Sequence, residues 1–248
     1  MNASTKFADS KHMMATLIRR EDITEDLFKF HLRPSEPLIF EPGQFCVVGA
    51  GEFERAYSIV SSPDQEEIEL FIELVPAPVG HLTPVLHGLQ VGDTVAIRRK
   101  AKGKFVFEPE YRNHLMVATV TGVAPYISIL RTHAHKREDY RFVVMLGASY
   151  IDEFSYDQEL QKFADEHDNI EFIASCSRPD DDRNAGWTGR TGRINALVEE
   201  TVERLALSPD DTIVYACGHP EMIEDVIQRF EGTNYKVSHE KFWSPPKK

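Results

Sequence analysis

Short apolar runs separated by turn residues fill the chain up to Phe107. Six of these runs have the length of a strand: ATLIRREDI, DLFKFHLRP, GQFCVVGA, RAYSIVSS, EIELFIELV and DTVAIRR. Within EIELFIELV, Ile68, Leu70 and Ile72 fall on the same face of an extended chain. One further segment, HLTPVLHGL, has helical character. The pattern predicts a small antiparallel β-barrel with a single short helix.

The rhythm changes after Pro109. Four longer apolar runs, HLMVATV, RFVVMLGAS, IEFIASCS and TIVYACG, suit strands that are buried on both faces, and a helical segment follows each of them. The chain closes on one more short strand, YKVSHEKFW. Alternation of this kind predicts an α/β fold with a doubly wound parallel sheet. We therefore divide the chain into a disordered lead-in at residues 1–13, a β-barrel domain at 14–110 and an α/β domain at 111–248.

Charge and cysteine content narrow the class of protein. The 248 residues carry a formal net charge of −12, which argues against nucleic acid as a partner because phosphate binding needs a cationic surface. The sequence contains neither a signal peptide nor the roughly 20 consecutive apolar residues of a membrane helix. Cys46, Cys176 and Cys217 are far apart and lack metal-ligand spacing. We expect a monomeric, cytoplasmic protein without a bound metal and without membrane association.

A cluster of cations interrupts this acidic chain. Seven consecutive positions contain no acid and hold five basic residues, namely Arg98, Arg99, Lys100, Lys102 and Lys104. On the sequence alone, the run fits a solvated loop as well as it fits a docking site for an acidic partner. In the second case the run would attract a partner that the rest of the protein repels.

The tetrapeptide Arg55-Ala56-Tyr57-Ser58 combines three kinds of chemistry on one predicted strand. An arginine can neutralise a phosphate, a tyrosine can stack on a flat ring system, and a serine hydroxyl can donate to a ring nitrogen. Strand alternation places Arg55 and Tyr57 on one face and Ala56 and Ser58 on the other. The same four residues also suit an ordinary amphipathic strand, so the tetrapeptide alone does not identify a site.

Two strand-to-helix turns carry further candidate residues. Thr121 and Gly122 follow the first strand of the second half, and Pro125 suits the first turn of the helix after it. A glycine lets the backbone approach a phosphate, and a helix N-terminus supplies unpaired N–H groups. Cys217 begins an equivalent turn, CGHPEM. There it either packs against a ring near the chemistry or is a buried small hydrophobe.

In this order and at these spacings, RxYS, TGxAP and CGxPxM resemble the bacterial ferredoxin/flavodoxin–NADP⁺ reductase family over essentially residues 14–243. The resemblance implies an FAD-binding barrel in which Arg55 holds the pyrophosphate, Tyr57 stacks on the isoalloxazine and Ser58 lies beside flavin N5. The family's second pyrophosphate segment, at a helix start, corresponds to Gly80, His81, Leu82 and Thr83. Thr83 would be its hydroxyl donor.

The resemblance also implies an NADP(H) site in the second half. Thr121, Gly122 and Pro125 would shape the site for the nucleotide pyrophosphate, and Cys217 would lie against the nicotinamide. These assignments come from the family and not from the spacing of the residues.

The C-terminal sequence EKFW resembles the aromatic tail that covers the flavin in this bacterial group. The resemblance implies that Phe242 stacks on the isoalloxazine face and that Trp243 lies near the adenine. Glu240 is then a candidate for a proton relay. A terminal strand with aromatic residues is otherwise unremarkable, so these roles depend on the rest of the match.

Two positions depart from the family. Val120 stands where the family usually has a glycine, and a β-branched residue disfavours positive φ and close backbone approach. Ser149 stands at one of the arginine positions that hold the 2′-phosphate of NADPH, while Arg178 and Arg193 occupy the others. Two arginines can still bind a dianionic phosphate, so we expect NADPH to be preferred over NADH.

The resemblance predicts a flavoenzyme that exchanges electrons between NADPH and a one-electron carrier, ferredoxin or flavodoxin, through FAD. A nicotinamide delivers a hydride and the carrier takes single electrons, so a flavin must stand between them. Two alternatives remain open on the sequence. One is an oxygenase-associated or free-flavin NAD(P)H reductase on the same core, and the other is a non-catalytic nucleotide-binding module.

Overall fold

The computed structural model describes residues 7, 9–134 and 139–241. The chain forms two compact units. The first extends to Val106 and takes in Ile127–Thr132, and the second consists of Phe107–Tyr126 together with the chain from His133 onward. The change of unit after Val106 lies slightly before the sequence boundary predicted at residues 110 and 111.

The first unit is a six-stranded antiparallel sheet in the order β4-β3-β6-β1-β2-β5. A backbone bridge between Ile59, directly after β4, and Leu70 in β5 links the two ends of this order, so the sheet curls into a near-barrel. The expected antiparallel barrel is confirmed. Its elements are β1 (His12–Asp22), β2 (Leu27–Pro34), β3 (Phe45–Ala50), β4 (Phe53–Ser58), β5 (Ile68–Glu73), α1 (Thr83–His87) and β6 (Thr94–Arg98).

Alternation along the strands explains the core of this unit. Ile68, Leu70 and Ile72, which the sequence places on one face of β5, are all buried. They pack with Leu17 of β1 and Phe30 of β2 in one apolar cluster. Burying a side chain of this size contributes about 1.5–3 kcal/mol relative to leaving it exposed. The periodicity of the strands therefore carries most of the information needed for this half.

The predicted disordered lead-in at residues 1–13 is wrong at its C-terminal end. Strand β1 begins at His12, and antiparallel pairing with β6 sets His12 opposite Arg98 and Met13 opposite Ile97. Met13 and Phe7 are both buried. The segment KHMM has no strand-like alternation of its own, and its partner strand supplies the hydrogen bonds that order it.

The second unit is a six-stranded parallel sheet in the order β10-β9-β8-β7-β11-β12. The expected doubly wound α/β fold is confirmed. Its strands are β7 (Asn113–Thr119), β8 (Arg141–Ala148), β9 (Ile170–Cys176), β10 (Arg190–Thr191), β11 (Thr212–Cys217) and β12 (Lys236–Glu240). Its helices are α3 (Asp157–Glu166), α4 (Val198–Arg204) and α5 (Pro220–Phe230), together with the two ends of α2 (Ala124–His133), whose middle belongs to the first unit. It also has 3₁₀ turns at Val120–Val123, Ile151–Glu153, Asp182–Asn184 and Ile194–Leu197.

The order of these strands locates a crevice. From β7 the chain builds outward through β8, β9 and β10, and it then returns to place β11 and β12 on the other side of β7. Ligands of open parallel sheets bind at the carboxyl ends of the strands where the order reverses in this way. The reversal lies between β7 and β11, whose last residues pair as Cys217 with Ala118.

The helices of the model are short. Within the described part of the chain, none has both the length and the apolar character needed to cross a membrane.

Candidate cofactor-binding site

Strand β4 carries the predicted flavin tetrapeptide. Pairing with β3 sets Arg55 opposite Val48 and Tyr57 opposite Cys46. Ser58 is buried, while Arg55 is exposed and donates from Nη1 to the Glu54 carbonyl oxygen at 2.7 Å. The strand therefore presents an exposed cation at Arg55 and a buried hydroxyl at its last residue, Ser58. A ligand with a phosphate and a ring would require both.

Tyr57 packs against the apolar core of the barrel. Burial raises the pKa of the Tyr57 phenol well above its ordinary value, and the neighbouring Arg55 guanidinium opposes this rise only in part. The phenol therefore stays neutral at physiological pH. Tyr57 can offer a flat ring to a bound group, but it does not supply a charge.

The segment at residues 80–83 lies near the same strand. The rings of Phe53, at the start of β4, and His81 stack with centroids 4.9 Å apart. A Cβ at Gly80 would overlap the Val75 carbonyl oxygen, so the chain can make this close turn only with glycine. Leu82 is buried in the barrel and anchors the turn.

The Thr83 hydroxyl is hydrogen-bonded within the protein. Its hydroxyl donates to the Val75 carbonyl oxygen at 2.9 Å and accepts from the Val75 N–H at 3.0 Å. A hydroxyl has one proton to donate, and here that proton is used within the protein. Thr83 closes the loop from Val75 to α1, and its role as the hydroxyl donor to a pyrophosphate stays a prediction.

In the second unit, two glycine turns meet at the point where the strand order reverses. A Cβ at Gly122 would overlap the Cys217 carbonyl oxygen, and a Cβ at Gly218, where φ is +129°, would overlap Thr119 Oγ1. The His219 N–H donates to the same Thr119 hydroxyl at 2.8 Å. The backbones therefore pack as closely as they can, and this lining fits a nucleotide pyrophosphate that must approach main-chain N–H groups.

The turn after β7 contains a strained residue. Val120 has φ +42°, in the left-handed region that a β-branched side chain disfavours. Valine is expected to resist this conformation, and the chain adopts it nevertheless. Such a residue costs about 1–3 kcal/mol and persists only where its surroundings impose it. Beyond the turn, Pro125 is buried in the first turn of α2, while Thr121 is partly exposed.

Cys217 and Glu240 are neighbours on the parallel strands β11 and β12. Cys217 is fully buried, and burial together with the nearby Glu240 raises the pKa of its thiol far above the ordinary value. The thiol therefore stays protonated and supplies shape and polarisability, but no acid–base chemistry. Burial also raises the pKa of Glu240 to about 7. Its Oε2 atom is buried and has no hydrogen-bond partner among the described residues.

Phe242 and Trp243 lie outside the described residues, so their predicted stacking roles stay predictions. The last described residues of the chain are the end of β12 at Glu240 and Lys241.

The predicted phosphate-binding arginines are placed differently from each other. Arg178 donates from Nη1 to the Tyr150 hydroxyl at 2.5 Å. Arg193 donates to the Glu221 carboxylate at 3.3 Å, and both of these side chains are largely exposed. An exposed pair of this kind contributes little to stability and separates at small cost, so Arg193 can turn to a ligand.

The structure adds a residue that the sequence analysis missed. The guanidinium carbon of Arg183 lies 3.7 Å from the centroid of the Tyr150 ring, and its Nη2 atom contacts both oxygens of Asp152 at 2.7 and 2.8 Å. Arg178 and Arg183 thus both contact Tyr150, which follows directly after the departing position Ser149. The only feature of the sequence that could have indicated Arg183 is the aromatic Tyr150 next to Ser149, where the family has an arginine.

A buried amide holds this cluster together. Asn184 is buried and donates to the carbonyl oxygens of Ser149 at 3.0 Å and Arg178 at 2.6 Å. Its own carbonyl accepts from the Ile151 N–H at 2.8 Å. Because these three bonds join two separate loops, Asn184 fixes where Tyr150 and Arg178 lie.

The basic run is less uniform than its sequence. Arg98 forms an ion pair with Glu54, and Arg99 forms one with Glu36. Lys100, Lys102 and Lys104 are exposed, and no ion pair to them is found in the described part of the chain. Only these three lysines carry charge that is not already balanced by a neighbouring carboxylate.

Comparison with known proteins gives the same division of the chain. A family model for an oxidoreductase FAD-binding domain matches residues 14–107, and one for an oxidoreductase NAD-binding domain matches residues 116–228.

Individual relatives cover both units. The chain is 34% identical to the flavodoxin/ferredoxin–NADP reductase of Escherichia coli over 210 residues, which covers 79% of this chain and 81% of the relative. It is 30% identical to the sulfhydrogenase 1 subunit gamma of Pyrococcus furiosus over 223 residues, covering 86% and 72% of the two chains.

A solved ferredoxin–NADP⁺ reductase from Neisseria gonorrhoeae, crystallised with FAD and NADP, superposes with a TM-score of 0.82 at 24% identity. The match covers 95% of this chain and 100% of that one, and it shows the shared fold. The match to both family models and the identity to the Escherichia coli enzyme settle the relationship. The chain belongs to the bacterial ferredoxin/flavodoxin–NADP⁺ reductase family.

Proposed function

We propose that this protein is an FAD-dependent reductase that exchanges electrons between NADPH and a ferredoxin or flavodoxin. The observation that carries the proposal is the presence of both halves of the machinery in one chain. Strand β4 of the FAD-type unit presents an arginine, a tyrosine and a serine. The NAD-type unit has a glycine-lined crevice where its strand order reverses.

The FAD-binding residues are those of β4 and of the turn before α1. Arg55 is exposed and can neutralise the pyrophosphate, Tyr57 offers its ring, and Ser58 offers a hydroxyl beside flavin N5. Ala56 lies between Arg55 and Tyr57 on the same strand, and the turn before α1 needs glycine at position 80 because a Cβ there would overlap the Val75 carbonyl oxygen. When bound, FAD supplies the chemistry that accepts a hydride and gives up electrons singly.

The residues that would bind NADPH are the turn after β7 and the arginines around Tyr150. Thr121, Gly122 and Pro125 shape the pyrophosphate crevice. Arg178 and Arg193 bind the 2′-phosphate, as the resemblance implies. Arg183 compensates for the arginine missing at Ser149, since it lies over the same tyrosine ring that Arg178 contacts.

Glu240 is the residue best suited to move a proton. A carboxyl group with a pKa of about 7 can both hold and release a proton at neutral pH. Among the described residues, none forms a hydrogen bond with the Glu240 Oε2 atom. Cys217 beside it contributes packing against the nicotinamide and stays neutral.

Lys100, Lys102 and Lys104 form the docking surface for the carrier. An acidic carrier is repelled by a protein of net charge −12 unless it meets a local cationic face, and such a face acts mainly on the rate of association. We also propose that the protein works as a monomer in the cytoplasm. The cysteines Cys46, Cys176 and Cys217 are all buried and free, as is usual in reducing compartments.

The proposal is tested by anaerobic reduction with NADPH, followed by addition of ferredoxin, flavodoxin or free FMN. Bleaching of the flavin bands and rapid reoxidation by a protein carrier are expected. Failure of NADPH to bleach the flavin overturns the proposed reductase. Reoxidation by free FMN alone would favour a free-flavin reductase.

The docking surface has its own measurement. Changing Lys100, Lys102 and Lys104 to glutamate should slow carrier reduction steeply at low salt, where the Debye length is longest, and less at 0.15 M. NADPH-to-ferricyanide activity should remain close to wild type, because a small inorganic acceptor needs no docking surface. Equal carrier rates for wild type and the triple variant at low salt would rule the surface out.

A further inference from the structure

A chain of charged side chains leads from the N-terminal segment to strand β4. The two ring nitrogens of His12 contact Asp9 Oδ1 at 2.5 Å and Glu54 Oε1 at 2.7 Å. Glu54 is in turn bound by Arg98, whose Nε and Nη2 atoms contact its two carboxylate oxygens at 3.0 and 2.5 Å. None of these four residues belongs to the RxYS, TGxAP or CGxPxM motifs.

The Glu54 carboxylate is held rigidly by these bonds. It lies on β4 directly before Arg55, and it receives two bonds from Arg98 and one from His12. The Arg98 guanidinium, with a smaller contribution from His12, holds the pKa of Glu54 at about 2 against the cost of burial. Glu54 is therefore ionised at every pH at which the protein works.

The N-terminal side of the chain is anchored by packing. The ring of Phe7 lies 5.2 Å from the ring of His12 and directly over Gly49, where a Cβ would come within 3.1 Å of it. Gly49 is the partner of Glu54 in the β3–β4 ladder. Because Gly49 has no side chain, the rings of Phe7 and His12 have room to lie next to Glu54.

Arg55 connects this cluster to the flavin site. Its Nη1 atom donates to the carbonyl oxygen of Glu54 at 2.7 Å, and no carboxylate pairs with it in the described part of the chain. The direction of its guanidinium is therefore set by the main chain of a residue whose side chain is fixed by His12 and Arg98. A long, exposed arginine otherwise loses much rotamer entropy when it binds a ligand.

Arg98 also neutralises the charge of the Glu54 carboxylate next to Arg55. An unbalanced carboxylate next to a phosphate-binding arginine would repel the phosphate, because two like charges a few ångströms apart interact unfavourably. The two-bond contact from Arg98 balances the Glu54 charge where it arises.

We propose that Glu54, fixed by His12 and Arg98, is a positioning residue that preorients Arg55 for the FAD pyrophosphate. The inference rests on the proposed function, in which Arg55 binds that group. It gives the segment from Phe7 to His12, which carries no cofactor-binding motif, a part in flavin retention. It also gives Arg98 a role in the flavin site in place of carrier docking.

The test compares two ligands that differ in phosphate content. Full-length wild type, Glu54→Gln and His12→Gln are stripped of flavin and titrated with FAD or with riboflavin, which has no phosphate. Glu67→Gln, which removes an exposed ion pair to Arg33 elsewhere in the barrel, is the matched control. Glu54→Gln is expected to weaken FAD binding about 10-fold, equivalent to about 1.4 kcal/mol, with riboflavin binding changed less than about 2-fold.

A double-mutant cycle with Arg55→Ala completes the test. If Glu54 acts through Arg55, Glu54→Gln has no further effect on FAD binding once Arg55 is alanine. Independent, additive losses, or equal losses of FAD and riboflavin, overturn the proposal because they indicate a general loss of structure. Should Glu54→Gln fail to fold, His12→Gln and Arg98→Lys are taken through the same cycle.

The outcomes separate this inference from the function on which it rests. If Arg55→Ala weakens FAD binding and Glu54→Gln does not, the positioning role is wrong and the flavin site stands. If Arg55→Ala itself leaves FAD binding unchanged, both the pyrophosphate role of Arg55 and the positioning role are wrong.

Discussion

The two candidate sites of this protein are built by different means. On the flavin side, Arg55, Tyr57 and Ser58 come from a single strand, and strand alternation sets the face of the sheet on which each side chain lies. On the nucleotide side, the crevice exists because the main chain at Gly122 touches the main chain at Cys217, far away in the sequence. The first site depends on which side chains are present, and the second depends on which are absent.

This difference predicts opposite sensitivities. A site made of side chains should lose function when atoms are removed, and the loss should be limited to one or two hydrogen bonds. A site made of closely packed backbone should lose function when a single methyl group is added, because the backbone has nowhere to move. The following predictions test these expectations in order of decreasing effect.

The largest effect is expected from Gly122→Ala. The added Cβ would overlap the Cys217 carbonyl oxygen, so the turns after β7 and β11 must separate and the crevice must change shape. We expect NADPH-dependent flavin reduction to fall by about 100-fold or more, equivalent to about 2.7 kcal/mol, with FAD retained. Stopped-flow reduction and flavin content measure the two quantities.

Gly88→Ala is the control for this prediction. Gly88 has helical backbone angles, and an added Cβ there meets nothing closer than 3.5 Å. It should leave both quantities near wild type. Normal NADPH kinetics in Gly122→Ala would mean that the turn relaxes and that its close packing is not what shapes the site.

A smaller effect is expected from removing one phosphate-binding side chain. Arg178→Ala should raise the Michaelis constant for NADPH about 30-fold and leave that for NADH nearly unchanged, since one charged hydrogen bond contributes about 2 kcal/mol. Arg183→Ala should act in the same direction if this residue compensates for Ser149. Equal effects of Arg178→Ala on the two coenzymes would show that Arg178 does not touch the 2′-phosphate.

The second unit is expected to lose stability in acid. His114 is fully buried in the second unit, and its ring stacks on Phe107 at 4.6 Å and Phe142 at 5.2 Å. Burial lowers the pKa of His114 to about 3, and the nearby His133 lowers it slightly further. The imidazole is therefore neutral in the folded protein throughout the mildly acidic range.

The sign of the effect follows from proton binding. Between pH 6.5 and about 3, His114 takes up a proton in the unfolded chain and not in the folded one. The free energy of unfolding should therefore fall by about 1.4 kcal/mol per pH unit from this residue as the pH drops through that range. Urea unfolding at several pH values should show a shallower dependence for His114→Phe than for wild type. An unchanged slope would contradict the assignment.

The features that could be predicted from the sequence are those whose interacting residues are close together along the chain. The barrel strands and the parallel sheet follow from local periodicity, and Ile68, Leu70 and Ile72 are buried as their spacing indicated. The RAYS tetrapeptide lies on the predicted strand. In each case the relevant neighbours are within a few residues, so their positions follow from strand geometry.

The features that were missed or misjudged depend on residues that are far apart. The hydroxyl of Thr83 is hydrogen-bonded to Val75 across a loop, a contact that the sequence did not indicate. Arg98 belongs to the basic run, and the sequence did not indicate its ion pair with Glu54 on another strand. No local pattern announces such partners, because hydrogen bonds between loops and strands depend on how the chain folds back on itself.

The smallest effect is expected from replacing Val120, in the strained turn of the nucleotide site, by glycine. Ala206, a second residue with positive φ, serves as the comparison. Val120 and Ala206 are the non-glycine residues with positive φ in the described part of the chain, at +42° and +50°. Ala206 follows α4 in the second unit and lacks β-branching. Replacement by glycine relieves strain of about 1–3 kcal/mol and adds back about 0.5–1 kcal/mol of unfolded-state entropy. Because the valine side chain raises the strain, Val120→Gly should stabilise the protein by about 1 kcal/mol, and Ala206→Gly by less.

Urea midpoints measure both changes. A loss of stability in Val120→Gly would mean that packing of the valine side chain, rather than relief of backbone strain, decides the residue at this turn.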